Sequence, residues 1–240
     1  LICKTILLLH RRTAKIMGSD GLKIGVIGAG AWGTALARLL ASSGNSVQLW
    51  CHEPETAKNI LQKHVNTSFL PDILLPESLG ASTDLLEIVR NSRILAAAPP
   101  SHLTREIAKK IRPEITAEHI LLILSKGIEQ HSLALMSEIF AEELDNLPKL
   151  AVLSGPTFAR EVALDLPSAA VLACADETAG MLLQKCFHSD RFRIYRSTDL
   201  VGVQLGGSIK NVIAMASGVA DGMQLGLNAR AALICRDVAE

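Results

Sequence analysis

The chain has 240 residues, with 24 Lys+Arg against 24 Asp+Glu and 49% apolar residues. That length allows one or two domains with a sizeable core, and the apolar content excludes a disordered chain. Zero formal net charge and 3% aromatic residues argue against a nucleic-acid binder, which needs a basic surface and stacking platforms.

The first apolar stretch, Leu1–Leu9, is broken by Lys4 and followed by Arg11, Arg12 and Lys15. It is shorter than the ~20 residues a spanning helix needs, and its charge order is wrong for a secretory signal. Met17 is a candidate start, and residues 1–21 read as a disordered extension. From Leu22 onward, short apolar runs alternate with amphipathic stretches. Lys23–Ile27 reads as a buried strand and Ala31–Ser43 as a helix, with Leu36, Leu39 and Leu40 at helical spacing. Ser46–Cys51 is a second strand, and Glu53–Lys63 a helix that tolerates Pro54 in its first turn. The stretch 66–82, with Pro71 and Pro76, reads as loop. Arg93–Ala98 is a strand ended by Pro99-Pro100, and Ser101 suits the N-cap of a helix over His102–Ile111. His119–Leu124, Leu150–Leu153 and Ala169–Ala173 are further strand signals. Strands alternating with helices predict an α/β fold with a doubly wound, mostly parallel sheet. After Tyr195 the strand signals stop, and Asp199–Ala220 is one long helical stretch. A domain boundary is placed near Ser197. The pattern is still helical at Glu240, with no stop signal. Cys3, Cys51, Cys174, Cys186 and Cys235 are odd in number and lack zinc-ligand spacing. They read as buried thiols of a reducing, cytoplasmic compartment, with no metal site.

Strand Lys23–Ile27 runs directly into Gly28-Ala29-Gly30-Ala31-Trp32-Gly33 and then a helix. A strand before and a helix after give G-x-G-x-x-G its meaning as a dinucleotide turn. Gly28 permits the tight turn, Gly30 the approach of a pyrophosphate, and Gly33 close helix–strand packing. The helix N-terminus then offers amides to the phosphates. A turn that merely connects is the bland alternative. The end of the second strand bears on NAD against NADP. His52 favours the 2′-phosphate of NADP, whereas Glu53 favours the ribose 2′-hydroxyl of NAD or simply lies in the next helix's first turn.

Between Val201 and Ala220 the only charged residue is Lys210. A helix apolar nearly all round is normally buried, and burial would lower a lysine's pKa toward that of a proton donor and acceptor. Lys210 shares a stripe with Val203, Gly206, Gly207, Ile213, Ala214 and Ser217, small enough for close approach. The bland alternative is a lysine snorkelling to the surface. Two loops follow strand ends, where ligands sit in such sheets. Ser125-Lys126-Gly127 offers a cation to an anionic substrate. Ser154-Gly155-Pro156-Thr157 offers a backbone nest, or a cap from Ser154 or Thr157 for a helix beginning near Phe158. Ala96–Pro100 supplies small residues at a third strand end, where a nicotinamide could lie flat.

From Leu22 to Glu240 the sequence resembles NAD(P)-dependent glycerol-3-phosphate dehydrogenases of the bacterial type. The resemblance rests on G-A-G-A-W-G-T-A-L-A (Gly28–Ala37), L-W-C-H-E-P-E (Leu49–Glu55), S-K-G-I-E (Ser125–Glu129), L-S-G-P-T-F-A-R-E-V-A (Leu153–Ala163) and G-V-Q-L-G-G-S-I-K-N-V-I-A (Gly202–Ala214). It implies a dinucleotide-binding domain over 22–196 and the start of a helical substrate domain over 197–240. It implies reduction of dihydroxyacetone phosphate to sn-glycerol 3-phosphate for glycerophospholipid synthesis. Lys210 matches the family's catalytic proton donor and acceptor, Lys126 a lysine touching cofactor and substrate, and Ala31, Trp32 and His52 cofactor positions. Gly155, Thr157 and Ala159 match the substrate and cofactor turn. The cofactor implied is NADP or NAD, with NADP slightly favoured. A cytoplasmic homodimer without a membrane span or nucleic-acid partner is implied as well. The resemblance further implies a longer helical domain carrying an aspartate and an arginine–asparagine pair. It also implies an exposed apolar face on residues 200–220 where that part is missing. Competing readings are another lysine-dependent hydroxy-acid dehydrogenase and a dinucleotide-binding module without catalysis.

Overall fold

The computed structural model describes residues 21–239, so the expected extension, Gly21 apart, lies outside the described residues, as does Cys3. Eight strands form one sheet: β1 (Lys23–Ile27), β2 (Ser46–Trp50), β3 (Gly80–Ser82), β4 (Ile94–Ala97), β5 (Ile120–Ile123), β6 (Lys149–Ser154), β7 (Ser168–Cys174) and β8 (Phe192–Ser197). Their order is β3-β2-β1-β4-β5-β6-β7-β8. All neighbours are parallel except β6 and β7. The helices are α1 (Ala31–Ser42), α2 (Pro54–Lys63), α3 (Leu85–Asn91), α4 (Thr104–Ile111), α5 (Met136–Glu143), α6 (Ala159–Ala163), α7 (Glu177–Phe187), α8 (Leu200–Gly222) and α9 (Gly226–Ala239).

The centre of the sheet is buried on both faces because successive strand residues feed different cores. Ile24 and Val26 of β1, Ile94 and Ala96 of β4, and Ile120 and Leu122 of β5 pack with Leu36 and Leu40 of α1. Their neighbours Ile27, Leu95, Ala97, Leu121 and Ile123 pack on the other face with Ile107, Ile139 and Phe140. The connection from β6 to β7 holds only the five-residue α6. β7 starts beside the end of β6, with Ser154 opposite Val171, and runs back antiparallel to it, and β8 follows β7 in parallel.

Three sequence expectations are corrected. Ser101 does not cap a helix over His102–Ile111. Residues Ser101–Leu103 form a 3-10 turn after Pro99-Pro100, and α4 begins at Thr104 with Leu103 as its cap residue. Of the described cysteines, Cys51, Cys174 and Cys186 are buried, but Cys235 is exposed. The long apolar helix α8 is not buried: only Gln204 and Ala220 are. Asp199 caps it by accepting from the Gly202 amide. The Gln204 side chain ties it to α5, accepting from the Ser137 amide at 3.0 Å and donating to Ser137 Oγ at 2.8 Å. Farther along, Val212, Met215 and Val219 are 59 to 65% exposed, and no other described element covers them. No helix among the described residues is long and apolar enough to cross a membrane.

Arg105 of α4 holds three carboxylates, Glu129, Glu142 and Glu143. Its hydrogen bonds push the Glu129 pKa down to about 2 from 4.5. A depressed carboxylate contributes stability that is present above its unfolded pKa and is lost as pH falls through the folded one. Acid unfolding is therefore expected to steepen between pH 4.5 and about 2, and Glu129→Gln to flatten it there. Stability curves of the two proteins against pH check this. Parallel curves would refute it.

Candidate active site

The glycine turn is built as its spacing predicts, each glycine for its own reason. Gly28 has φ +112°, and a β-carbon there would lie 2.9 Å from the Ala98 carbonyl oxygen. A β-carbon on Gly33 would strike the carbonyl oxygen of Gly28, so this glycine lets α1 close on the turn. At Gly30 a β-carbon would meet nothing within 4 Å. Gly30 is the extended cap residue of α1, no side chain caps that helix, and its first turn carries no acidic residue. The first-turn amides and the positive dipole end are thus left to an anion. These features fit the phosphates of a dinucleotide.

The turn is one wall of a cleft of about 740 Å³ at the carboxyl ends of β1, β2, β4 and β5. Gly28, Gly30, Ala31, Trp32, Gly33, His52, Lys126, Thr157 and Ala159 all line it, although they come from four separate segments. Of Ala96–Pro100, the expected resting place of a flat ring, Ala98, Pro99 and Pro100 line it too, whereas Ala96 and Ala97 are buried within β4. Gly155 and Lys210 do not line this cleft. Sequence reasoning missed Phe69, Glu106 and Lys110, which do. Glu106 and Lys110 carried a readable signal, an i,i+4 pair on one helix face, now a 2.6 Å ion pair. Phe69 sits in a loop and carried none. Lys110, first, and His52, more weakly, hold the Glu106 carboxyl below its ordinary pKa. Glu53 is the cap residue of α2 and also faces the cleft, so both weighed roles of this residue persist. The ribose end thus sets His52 and Lys110 against Glu53 and Glu106, and it selects neither cofactor by charge alone.

Two lysines from distant segments meet beside the cleft. Lys126 Nζ donates to the Gly155 carbonyl oxygen at 3.0 Å. Lys210 Nζ lies 5.0 Å from the centroid of the Phe158 ring, in the turn that Gly155 opens. The small stripe on α8 makes this possible. A β-carbon on Gly207 would come 2.5 Å from Ser154 Oγ and 3.7 Å from Lys126 Cγ. The Gly127 amide donates to Ser208 Oγ, fixing the Lys126 loop on the same helix face. Lys210 is half-buried, not enclosed as expected, because most of α8 faces outward. Neither Ser154 nor Thr157 caps the short α6, whose cap residue is Phe158. Desolvation, then the charge of Lys210, pulls the Lys126 pKa below the ordinary lysine value, although solvent still reaches its side chain. Two cations at one turn raise the local potential toward an anion. Removing one should restore the other: Lys210→Met is expected to raise the titration midpoint of Lys126, read by NMR of ¹³C-methylated lysines. An unmoved midpoint would show that the two charges do not interact.

Sheet order, turn and cleft define a Rossmann-type fold of the dehydrogenase kind. The family described as NAD-dependent glycerol-3-phosphate dehydrogenase matches with its N-terminal part over residues 23–180 and its C-terminal part over 199–240. A glycerol-3-phosphate dehydrogenase [NAD(P)+] of Syntrophotalea carbinolica is 45% identical over 221 residues, covering 91% of this chain and 66% of the relative. One of Citrifermentans bemidjiense is 47% identical over 220 residues, with the same coverage. The crystal structure of a Coxiella burnetii glycerol-3-phosphate dehydrogenase superposes with TM-score 0.82 at 39% identity, over 90% of this chain and 66% of that one. This chain belongs to the NAD-dependent glycerol-3-phosphate dehydrogenase family. It spans 66% of the length of those curated relatives.

Proposed function

We propose that the chain serves a cytoplasmic, NAD(P)H-dependent reduction of dihydroxyacetone phosphate to sn-glycerol 3-phosphate, a precursor of glycerophospholipids. The activity is assigned to a protein of its relatives' full length. The observation that carries this reading is the meeting of Lys126 and Lys210 at the Gly155–Phe158 turn, beside the glycine-turn cleft. The names of the relatives support NAD or NADP as cofactor. The buried free thiols Cys51, Cys174 and Cys186 support a reducing compartment. A dimer of a protein of the relatives' length is part of the proposal, as is a boundary near Ser197, where β8 ends and only helices follow among the described residues.

Each residue then has a task. Gly28 and Gly33 shape the turn, and Gly30 leaves room for the pyrophosphate, which the amides of Ala31 and Trp32 receive. His52 meets the ribose end, and Ala159 borders the dinucleotide. Lys126, with Gly155 and Thr157, holds the substrate, its charge balancing phosphate or carbonyl oxygen. Lys210 gives a proton to the ketone oxygen as it becomes a hydroxyl, and takes it back in the reverse reaction. When bound, the reduced nicotinamide supplies the hydride, so the protein's part is to position and to tune. The test is substrate-dependent oxidation of NADPH and NADH. Turnover of 3-oxo acids in place of dihydroxyacetone phosphate would overturn the substrate assignment.

A further inference from the structure

The chemistry proposed above leaves the loop after α2 without a role, yet this loop reaches into the glycine turn. His64 ends α2 in the left-handed region, at φ 52°, and two residues later Asn66 is fully buried. Asn66 Nδ2 donates to the Ala29 carbonyl oxygen at 2.8 Å and to Thr34 Oγ1 at 2.9 Å. Its Oδ1 accepts from the Phe69 amide at 3.2 Å. One buried amide thus spends its donors on the glycine turn and its acceptor on its own loop. Phe69, 46% exposed, is set on the cleft rim. Two arginines tie the rest of the loop down: Arg38 Nε donates to the Leu74 carbonyl oxygen and Arg160 Nη1 to that of Pro71.

We propose that Asn66 is a positioning residue of the glycine turn. The proposal rests on the dinucleotide reading above. The peptide joining Ala29 to Gly30 can turn either its oxygen or its N–H toward a phosphate. Asn66 holds the oxygen inward, in a buried bond that is expensive to leave unmade. It thereby keeps the turn receptive to a pyrophosphate.

The test uses this chain with three probes: NADPH, ADP-ribose, which keeps the pyrophosphate, and AMP, which lacks it. Asn66→Ala is expected to weaken NADPH and ADP-ribose about ten- to a hundredfold, and AMP less than about threefold. Asn66→Asp keeps the acceptor for Phe69 but loses both donors, and should weaken ADP-ribose as much. Without ligand, amide hydrogen exchange over residues 28–36 should quicken in both variants. Phe69→Ala, a change at an exposed side chain, should weaken NADPH severalfold with no shift in melting temperature. If Asn66→Ala fails to fold, Thr34→Ser, which keeps the Asn66 acceptor, should bind ADP-ribose like the parent, and Thr34→Val, which removes it, should weaken ADP-ribose more than AMP; equal effects of the two would overturn the proposal. Unchanged ADP-ribose binding in the Asn66 variants would overturn the proposal. So would an equal loss of AMP and ADP-ribose, which marks a residue that is only structural. A parent chain that binds neither NADPH nor ADP-ribose would instead overturn the dinucleotide reading itself.

Discussion

Lys210→Ala is expected to lower turnover of dihydroxyacetone phosphate by ~10²–10⁴-fold, the usual worth of a positioned general acid. NADPH affinity should stay within about twofold, because Lys210 does not line the cleft that holds the glycine turn. The side chain is held by geometry it does not itself supply. Gln204 locks α8 to Ser137 less than two turns earlier, and Gly207 brings the helix onto Ser154 and Lys126. Removing the ammonium should therefore leave the frame intact. Lys210→Arg sharpens the test. It keeps the charge, but a guanidinium does not release a proton near neutral pH, so turnover should stay low while substrate affinity recovers. Normal turnover in Lys210→Ala, or loss of cofactor binding in step with turnover, would contradict the role.

Gly33→Ala and Gly30→Ala should separate two parts of the turn. The added methyl at Gly33 strikes the carbonyl oxygen of Gly28, backbone against backbone, with no flexible side chain to give way. Stability is expected to fall by about 1–3 kcal/mol, as for an overpacked core, and cofactor affinity by tenfold or more. At Gly30 the methyl meets no protein atom. Stability should hold, while dinucleotide affinity falls because the methyl occupies room that the phosphates need. Thermal melts and NADPH titrations of both variants check this. A Gly30→Ala protein that binds like the parent would show that the phosphates lie elsewhere.

Much of the fold is legible from β1 to β6. The central strands β1, β4, β5 and β6 carry apolar runs, as burial on both faces demands, whereas β2 alternates, with Ser46 and Gln48 exposed. β3 escapes because Gly-Ala-Ser over three residues has no periodicity to read. The edge strand β8 is different. Its Phe-Arg-Ile-Tyr-Arg alternation, with Phe192 and Ile194 buried and Arg193 and Tyr195 outward, is a half-buried strand signal that the change of pattern after Tyr195 obscures. The direction of β7 is not written in its own residues at all. It shows only in the pairing, where Ser154 lies opposite Val171. At the site, the glycine turn could be read because backbone conformation dictates residue type there. Lys210 stood out as a lone charge, but its degree of burial depends on which elements cover α8, and periodicity cannot supply that. Asn66 and Phe69 were invisible for a related reason: a polar and an aromatic residue in a loop acquire meaning only when the chain brings them to Ala29 and the cleft rim.

The most direct measurement is oxidation of NADPH and NADH with dihydroxyacetone phosphate. It should be made on this chain and on the chain joined after Glu240 to the C-terminal third of the Syntrophotalea carbinolica relative. Oxidation that requires dihydroxyacetone phosphate is expected in the joined protein, and its disappearance with Lys210→Ala. A joined protein that folds and binds cofactor, yet oxidises neither dinucleotide with this substrate, would contradict the proposed activity.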